Sequence, residues 1–339
     1  MVDKKNINIE LLRFMATVAV ILIHMSMSHY HDAALMKENA GAWYVNQLYN
    51  TLSRFCVPVF FIVTAYLCFN NHSFKRWDKK IIRLGIPWLA WSCLYYFIQG
   101  GRDIIELLKQ TLTANTSFHL WFIPPFIGYI IFLPVITQAF SGENREKLRF
   151  IFISVFCFTI CVPAIIDFLN LYFDNINYLR GFAQFGLIFP SFLVYALAFP
   201  YLHKKMTPGW GLLSYFIIIL INIIPNAIVS YKRGIPNETF YVFTSPLIFI
   251  SSYILFNVIM SLNISELPEP LKKFIYNAGE CSFGIYLSHW FVFLTLNRTG
   301  IILHEHAIID PLVNTVIVFA ASFIFIYLLR KIKPARIFV

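Results

Sequence analysis

Apolar residues in this chain do not recur at a spacing that would leave one wet face. They fill whole stretches of about twenty residues, at 9–29, 48–70, 81–99, 119–139, 149–169, 182–202, 210–230, 239–262, 281–298 and 309–330. A bilayer core about 30 Å thick takes roughly 20 apolar residues to span as a helix, since each residue rises about 1.5 Å. The strands of a closed barrel would alternate polar and apolar residues, and these runs are apolar on all sides. The chain is therefore expected to be an all-α, polytopic integral membrane protein with about ten transmembrane helices. The first run is too long for a removable signal peptide and has no small-residue cleavage site, so it is expected to stay as a helix.

Composition and charge agree with this class and orient it. The 339 residues are 58% hydrophobic and 13% charged, with 36 Phe, against roughly 25% charged in globular proteins. Eighteen of the 27 Lys and Arg fall in loops on one side, including Lys4, Lys5, Lys75, Arg76, Lys79, Lys80, Arg83, Arg145, Lys147 and Arg149, and seven on the other, among them Arg180. Such an excess marks the cytoplasmic side, so both termini are expected there. The net charge of +10 is then mainly a topology signal, and no nucleic-acid partner is expected. The loops are short, the longest at 30–47 and 100–118, and the chain is expected to form one membrane domain, 1–339. The outer loops 173–181 and 231–240 carry Gly, Asn and aromatic residues that either face a carbohydrate or turn the chain. The six cysteines lie in or at the ends of apolar helices, without metal-ligand spacing, so packing is their expected role and no metal is expected.

Ionisable groups inside a bilayer cost several kcal/mol unless paired or turned to a cavity, so they point to function. In the first helix Arg13 and His24 are eleven residues apart. At 100° per residue that is three turns and about 20°, which puts both side chains on one face, about 16 Å apart along the axis. Either alone has a structural reading: Arg13 snorkelling to the headgroups, His24 bonding a neighbouring helix. Other polar residues join them. Arg54 opens the second helix at about the depth of His24, and His119 and Trp121 begin the fourth. Lys79, Lys80 and Arg83 open the third from the inner side, and the ninth carries Glu280 at its cytoplasmic edge and His289 deeper. A polar path through the bundle suits a transporter or a membrane-embedded transferase.

A histidine with no adjacent nucleophile or metal suits general-base work, and cations at the inner mouth suit a phosphorylated donor. A P-loop, a glycine-rich nucleotide fingerprint and a D-x-D motif are all missing from the sequence, which disfavours an ATP-driven pump or a metal-dependent sugar-nucleotide transferase.

Five features in order resemble the acyltransferase-3 family of bacterial membrane acyltransferases: the Arg13/His24 pair, VPVFFIVTAYL in helix 2, the basic K-x-x-R before helix 3, HLWF at helix 4 and SFGIYLSH in helix 9. The resemblance runs from Ile9 to about Arg330 and is greatest to short, domain-free members such as those that O-acetylate enterobacterial common antigen. It implies ten helices in the bacterial cytoplasmic (inner) membrane and acetyl-CoA or another acyl-CoA as a cytoplasmic co-substrate, with no bound cofactor. It implies O-acylation of a glycan or lipid-linked sugar on the outer face. Carried over by position, His24 is the essential histidine that activates the acceptor hydroxyl or handles the acyl group, and Arg13 is its catalytic partner. Lys80 and Arg83, with Lys79 beside them, stand where an R-x-x-R pair serves donor binding. Losing one guanidinium fork leaves the role of Lys80 less secure than that of Arg83. Arg54, His119, Trp121, Tyr66, Glu280 and His289 are candidates to line the path or bind the acceptor. The family's usual serine–glycine pair in helix 2 is here Thr64–Ala65, with Tyr66 retained. The runner-up reading is export of a polysaccharide or small metabolite without acyl transfer.

Overall fold

The computed structural model describes residues 6–71, 77–113, 116–140, 142, 144–170, 191–264 and 266–339. Lys4, Lys5, Lys75, Arg76, Arg180, the loop 173–181 and the first part of the run 182–202 lie outside them. Among the described residues there is no strand, and the fold is all-α.

Helix α1 (Ile7–Tyr30) begins at Asn6, whose side chain accepts from the Asn8 amide, an ordinary polar N-cap. The first apolar run of the sequence is this helix. The run 48–70 starts earlier than its hydropathy suggests and is broken: α3 (Ala40–Ser53), preceded by the short α2 (Ala33–Glu38), and α4 (Cys56–Asn71) meet at Arg54 and Phe55. Pro58 causes the break, since its ring lacks an N–H and crowds the carbonyl four residues back, at Arg54. Most of the predicted loop 30–47 is thus helical, capped by the side chains of Asp32 and Asn39.

Next come α5 (Trp77–Ile98), α6 (Ile104–Leu112), a 3₁₀ turn (Phe118–Phe122) and α7 (Ile123–Ala139). Helix α6, in the predicted loop 100–118, turns Ile104, Ile105, Leu108 and Leu112 outward, as a helix lying in a lipid interface would. After α8 (Asn144–Lys147), α9 (Arg149–Phe156) and α10 (Val162–Leu169) are joined without a break by a π turn at Cys157–Cys161. The remaining helices are α11 (Leu193–Leu202), α12 (Pro208–Arg233), α13 (Pro246–Met260), α14 (Glu269–Arg298) and α15 (Asp310–Leu329).

Among the described residues, seven helical stretches have the length and apolarity to cross a membrane. They are α1, α3–α4, α5, Phe118–Ala139, Asn144–Leu169, α12 and α15. Helices α11 and α13 are apolar but shorter, while α14 is long enough at 30 residues yet carries several charged and polar side chains. Large apolar residues such as Leu220, Ile221 and Ile224 of α12 face outward, which suits lipid as solvent.

The core lies around α1, α4, α7, α11 and α14, with Leu12, Ala16, Phe61, Tyr195 and Leu287 fully enclosed. Helix α1 is tied at its start, where Asn8 Nδ2 donates to the carbonyls of Ile259 (2.6 Å) and Leu262 (3.0 Å). It crosses α14 so closely that a Cβ on Gly279 would stand 2.8 Å from the Glu10 carbonyl oxygen. Only glycine fits there without moving backbone. That crossing brings the two helices bearing His24 and His289 together.

Candidate functional site

The first part of the site is a cavity of about 1160 Å³. Its mouth is cationic: Arg13 from the start of α1, Lys79, Lys80 and Arg83 from the start of α5, Arg330 past the end of α15, and Arg336. The helix ends that the charge count assigns to the cytoplasm therefore meet at one opening. Glu280 also lines it and pairs with Arg330 at 3.1 Å. Further in, the walls turn apolar through Phe60, Val63, Leu67, Phe126 and Ile130 and end on Phe122 and Tyr286. Thr64 faces the cavity too, its hydroxyl tied back to the Phe60 carbonyl at 2.7 Å, and Ala65 is fully buried.

Behind that floor stand three histidines. The rings of Phe122 and Tyr286 are 5.7 Å apart, and Tyr286 is 5.8 Å from His119 and 6.1 Å from His289. The Tyr286 hydroxyl donates to the His119 carbonyl oxygen. His24 lies nearly parallel to His289, centroids 5.3 Å apart and planes within 12°, while His119 meets His289 edge-on at 4.9 Å. Phe118 and Trp290 also pack edge-on to His24, at 4.8 and 6.3 Å. Helix packing thus joins three predicted residues from α1, the 3₁₀ turn and α14. Among the described residues no group of His, Cys, Asp or Glu is arranged to hold a metal ion.

Hydrogen bonding separates the three. His119 has both nitrogens engaged, Nδ1 with Ser117 Oγ at 2.9 Å and Nε2 with the Leu287 carbonyl at 3.5 Å. His289 Nδ1 faces the carbonyls of Tyr286 (2.7 Å) and Ile285 (3.3 Å). A carbonyl only accepts, so Nδ1 carries the proton and Nε2 is left with its lone pair. Among the described residues, neither His289 Nε2 nor His24 Nδ1, both buried, has a hydrogen-bond partner.

Arg13 and His24 share α1 but do not touch. Arg13 donates through NH1 to Glu10 Oε1 at 2.9 Å, and Glu10 is 3% exposed with its other oxygen unpartnered. The sequence reading missed Glu10, although its i,i+3 spacing to Arg13 was a usable signal. It also treated Arg330 and Arg336 only as topology charges and did not single out Tyr286.

Arg54 enters a different network. Its Nε donates to Asn50 Oδ1 and its NH2 to Glu238 Oε1, both at 2.7 Å, and its guanidinium lies 5.3 Å from the Tyr241 ring centroid and 5.4 Å from that of Phe243. Trp121 stacks on Phe243 at 5.6 Å, which makes it a packing partner of this network. Tyr66 packs against Phe199, His203 and Phe256 and is neither part of the cavity lining nor in ring contact with His24, His119 or His289. Burial acts to raise the Glu238 carboxyl, but His31 and Arg54 together hold it below its ordinary value. A carboxyl lowered by folding contributes stability that is full above its unfolded pKa, near 4.3, and is lost as pH falls through the folded value. Acidification below about pH 4 is therefore expected to release the loop that carries Glu238, and Glu238→Gln to remove that pH dependence. Proteolysis of the loop in detergent across a pH series measures both.

The model of an acyltransferase domain, that of the acyltransferase-3 family, matches residues 6–331. Among curated proteins, an amino-acid racemase of Enterococcus faecalis is 22% identical over 353 aligned positions, covering 96% of this chain and 46% of the relative. The chain thus spans just under half the length of that relative. No solved structure matches it. With its all-helical membrane architecture and a family match over nearly its whole length, the chain belongs to the acyltransferase-3 family.

Proposed function

We propose that this protein moves an acyl group, in the first instance acetyl, from cytoplasmic acyl-CoA to a hydroxyl of a cell-surface or lipid-linked glycan on the outer side of a bacterial cytoplasmic membrane. One observation carries the reading: the cavity is lined by cations at the cytoplasmic helix ends and also by Phe122 and Tyr286, and the Tyr286 ring packs against His119 and His289. The cations suit the phosphates of the donor, with Arg83 and Arg13 offering planar forks. The apolar walls suit a pantetheine arm and a short acyl chain. The arm would bridge much of the roughly 16 Å from Arg13 to His24, so that one transfer step joins a donor from one side to an acceptor from the other. An acceptor of the enterobacterial-common-antigen kind is one member of the glycan class this predicts.

The test uses membranes with and without the protein, given acetyl-CoA labelled in its acetyl group. Label appearing in the glycan fraction only when the protein is present supports the reading. Glycan crossing the membrane while acetyl-CoA is left intact would replace it with export.

A further inference from the structure

Of the two histidines with a buried, unpartnered ring nitrogen among the described residues, only one is held in a defined state. His289 is fully buried, and its Nδ1 proton is fastened to the carbonyls of Tyr286 and Ile285 on its own helix. That fastening leaves Nε2 as a lone pair beside the rings of His24, His119 and Tyr286, with no donor among the described residues to satisfy it. An unsatisfied buried acceptor costs about 1–3 kcal/mol and needs an explanation. Among the described residues no hydrogen bond to His24 selects a tautomer, its Nδ1 being unpartnered; its neighbours are the rings of Phe118, His289 and Trp290. A general base works best when its second nitrogen is oriented by a fixed partner, as in a catalytic triad. By that criterion the oriented base is on α14, not α1.

We propose that His289 is a second catalytic histidine, whose Nε2 takes the proton of the acceptor hydroxyl, while the adjacent His24 faces the acyl carbonyl. The assignment rests on the acyl-transfer reading above. As the acceptor O–H bond breaks, its proton passes to His289 Nε2 and its oxygen bonds to the thioester carbonyl carbon. The carbon–sulfur bond then breaks, and the departing thiolate takes the proton back from Nε2. An ester and a free thiol result, and His289 returns to its starting state. The titratable groups facing the His289 ring are His24 from α1, His119 from the 3₁₀ turn and Tyr286 from its own helix. His119, with both nitrogens engaged, is left with a structural part.

The test compares wild type, His289→Asn and His289→Gln in membranes supplied with labelled acetyl-CoA. Asn places an amide N–H where Nδ1 donates to Tyr286 and removes the base. The expected result is normal accumulation and a loss of transfer of roughly 100- to 10,000-fold, the usual contribution of a general base. The residual rate should climb steadily with pH where the wild-type rate levels off, a change that a merely structural histidine would not produce. Transfer within threefold of wild type overturns the proposal. So does a residual rate that keeps the wild-type pH profile, and so does failure of both variants to accumulate, which would make His289 a folding residue. No label transfer by the wild-type protein would instead overturn the acyl-transfer reading itself.

Discussion

His24→Ala is expected to accumulate in the membrane as the wild type does and to lose acyl transfer by at least about a hundredfold, the lower range for removing a group that acts directly at a reacting centre. The two halves of this expectation have separate causes. Among the described residues His24 Nδ1 has no hydrogen-bond partner, so truncation orphans no other polar group there. What folding loses is ring contact with Phe118, His289 and Trp290, at about 0.5–1.5 kcal/mol for each aromatic pair. Many neighbouring interactions hold α1 in place, including the Asn8 bonds to the end of α13. The transfer step keeps no substitute, because His119 already has both nitrogens in use. Label incorporated per unit of membrane protein is the measurement, and retained incorporation would remove His24 from the reaction.

Arg13→Ala is expected to fail in a different way, through stability as well as donor use. Glu10 is 3% exposed and Arg13 is its ion-pair partner, at 2.9 Å. Removing one member of a buried pair leaves the other charge stranded, at roughly 3–5 kcal/mol. Arg13 keeps 31% exposure, so the lower end, about 3 kcal/mol, is the expected loss. The double variant Glu10→Gln/Arg13→Ala removes the stranded charge and should recover most of the thermal stability in detergent. Transfer should not recover with it, because the cavity still lacks a guanidinium, and the KM for acetyl-CoA should stay raised. If stability and transfer return together, Arg13 serves only to neutralise Glu10.

The replacement of the first arginine of the family's basic pair by Lys80 is compatible with the cavity. Lys80 lines it beside Arg83 and Lys79, and Arg330 and Arg336 add two further cations from the other end of the chain. A point charge in place of one fork matters less when several cations share the anion. Likewise, Thr64 and Ala65 replace a serine–glycine pair without closing the cavity, since Thr64 is part of its wall and its hydroxyl is satisfied within its own turn.

The class of the molecule was legible from local properties. Runs of about twenty apolar residues mean spanning helices because lipid offers no hydrogen bonds to the backbone, and the described part of each run is mostly helix, although the run 239–262 becomes helical only from Pro246. Arg13, Lys79, Lys80 and Arg83 of the cavity mouth and the three histidines were also legible one by one, as ionisable groups in or at the ends of apolar runs, whereas Arg330 and Arg336 read only as topology charges. Their division of labour was not. Arg54 bonds Glu238, 184 residues away, and Tyr286 reaches the His119 carbonyl across 167. No periodicity within a helix encodes such pairings. The sequence alone determined a membrane bundle, its basic side and its candidate chemistry. Packing α1 against α14 decided that the His24 and His289 rings stack and that Glu10 is buried against Gly279, because ring contact and burial belong to the folded neighbourhood of a side chain.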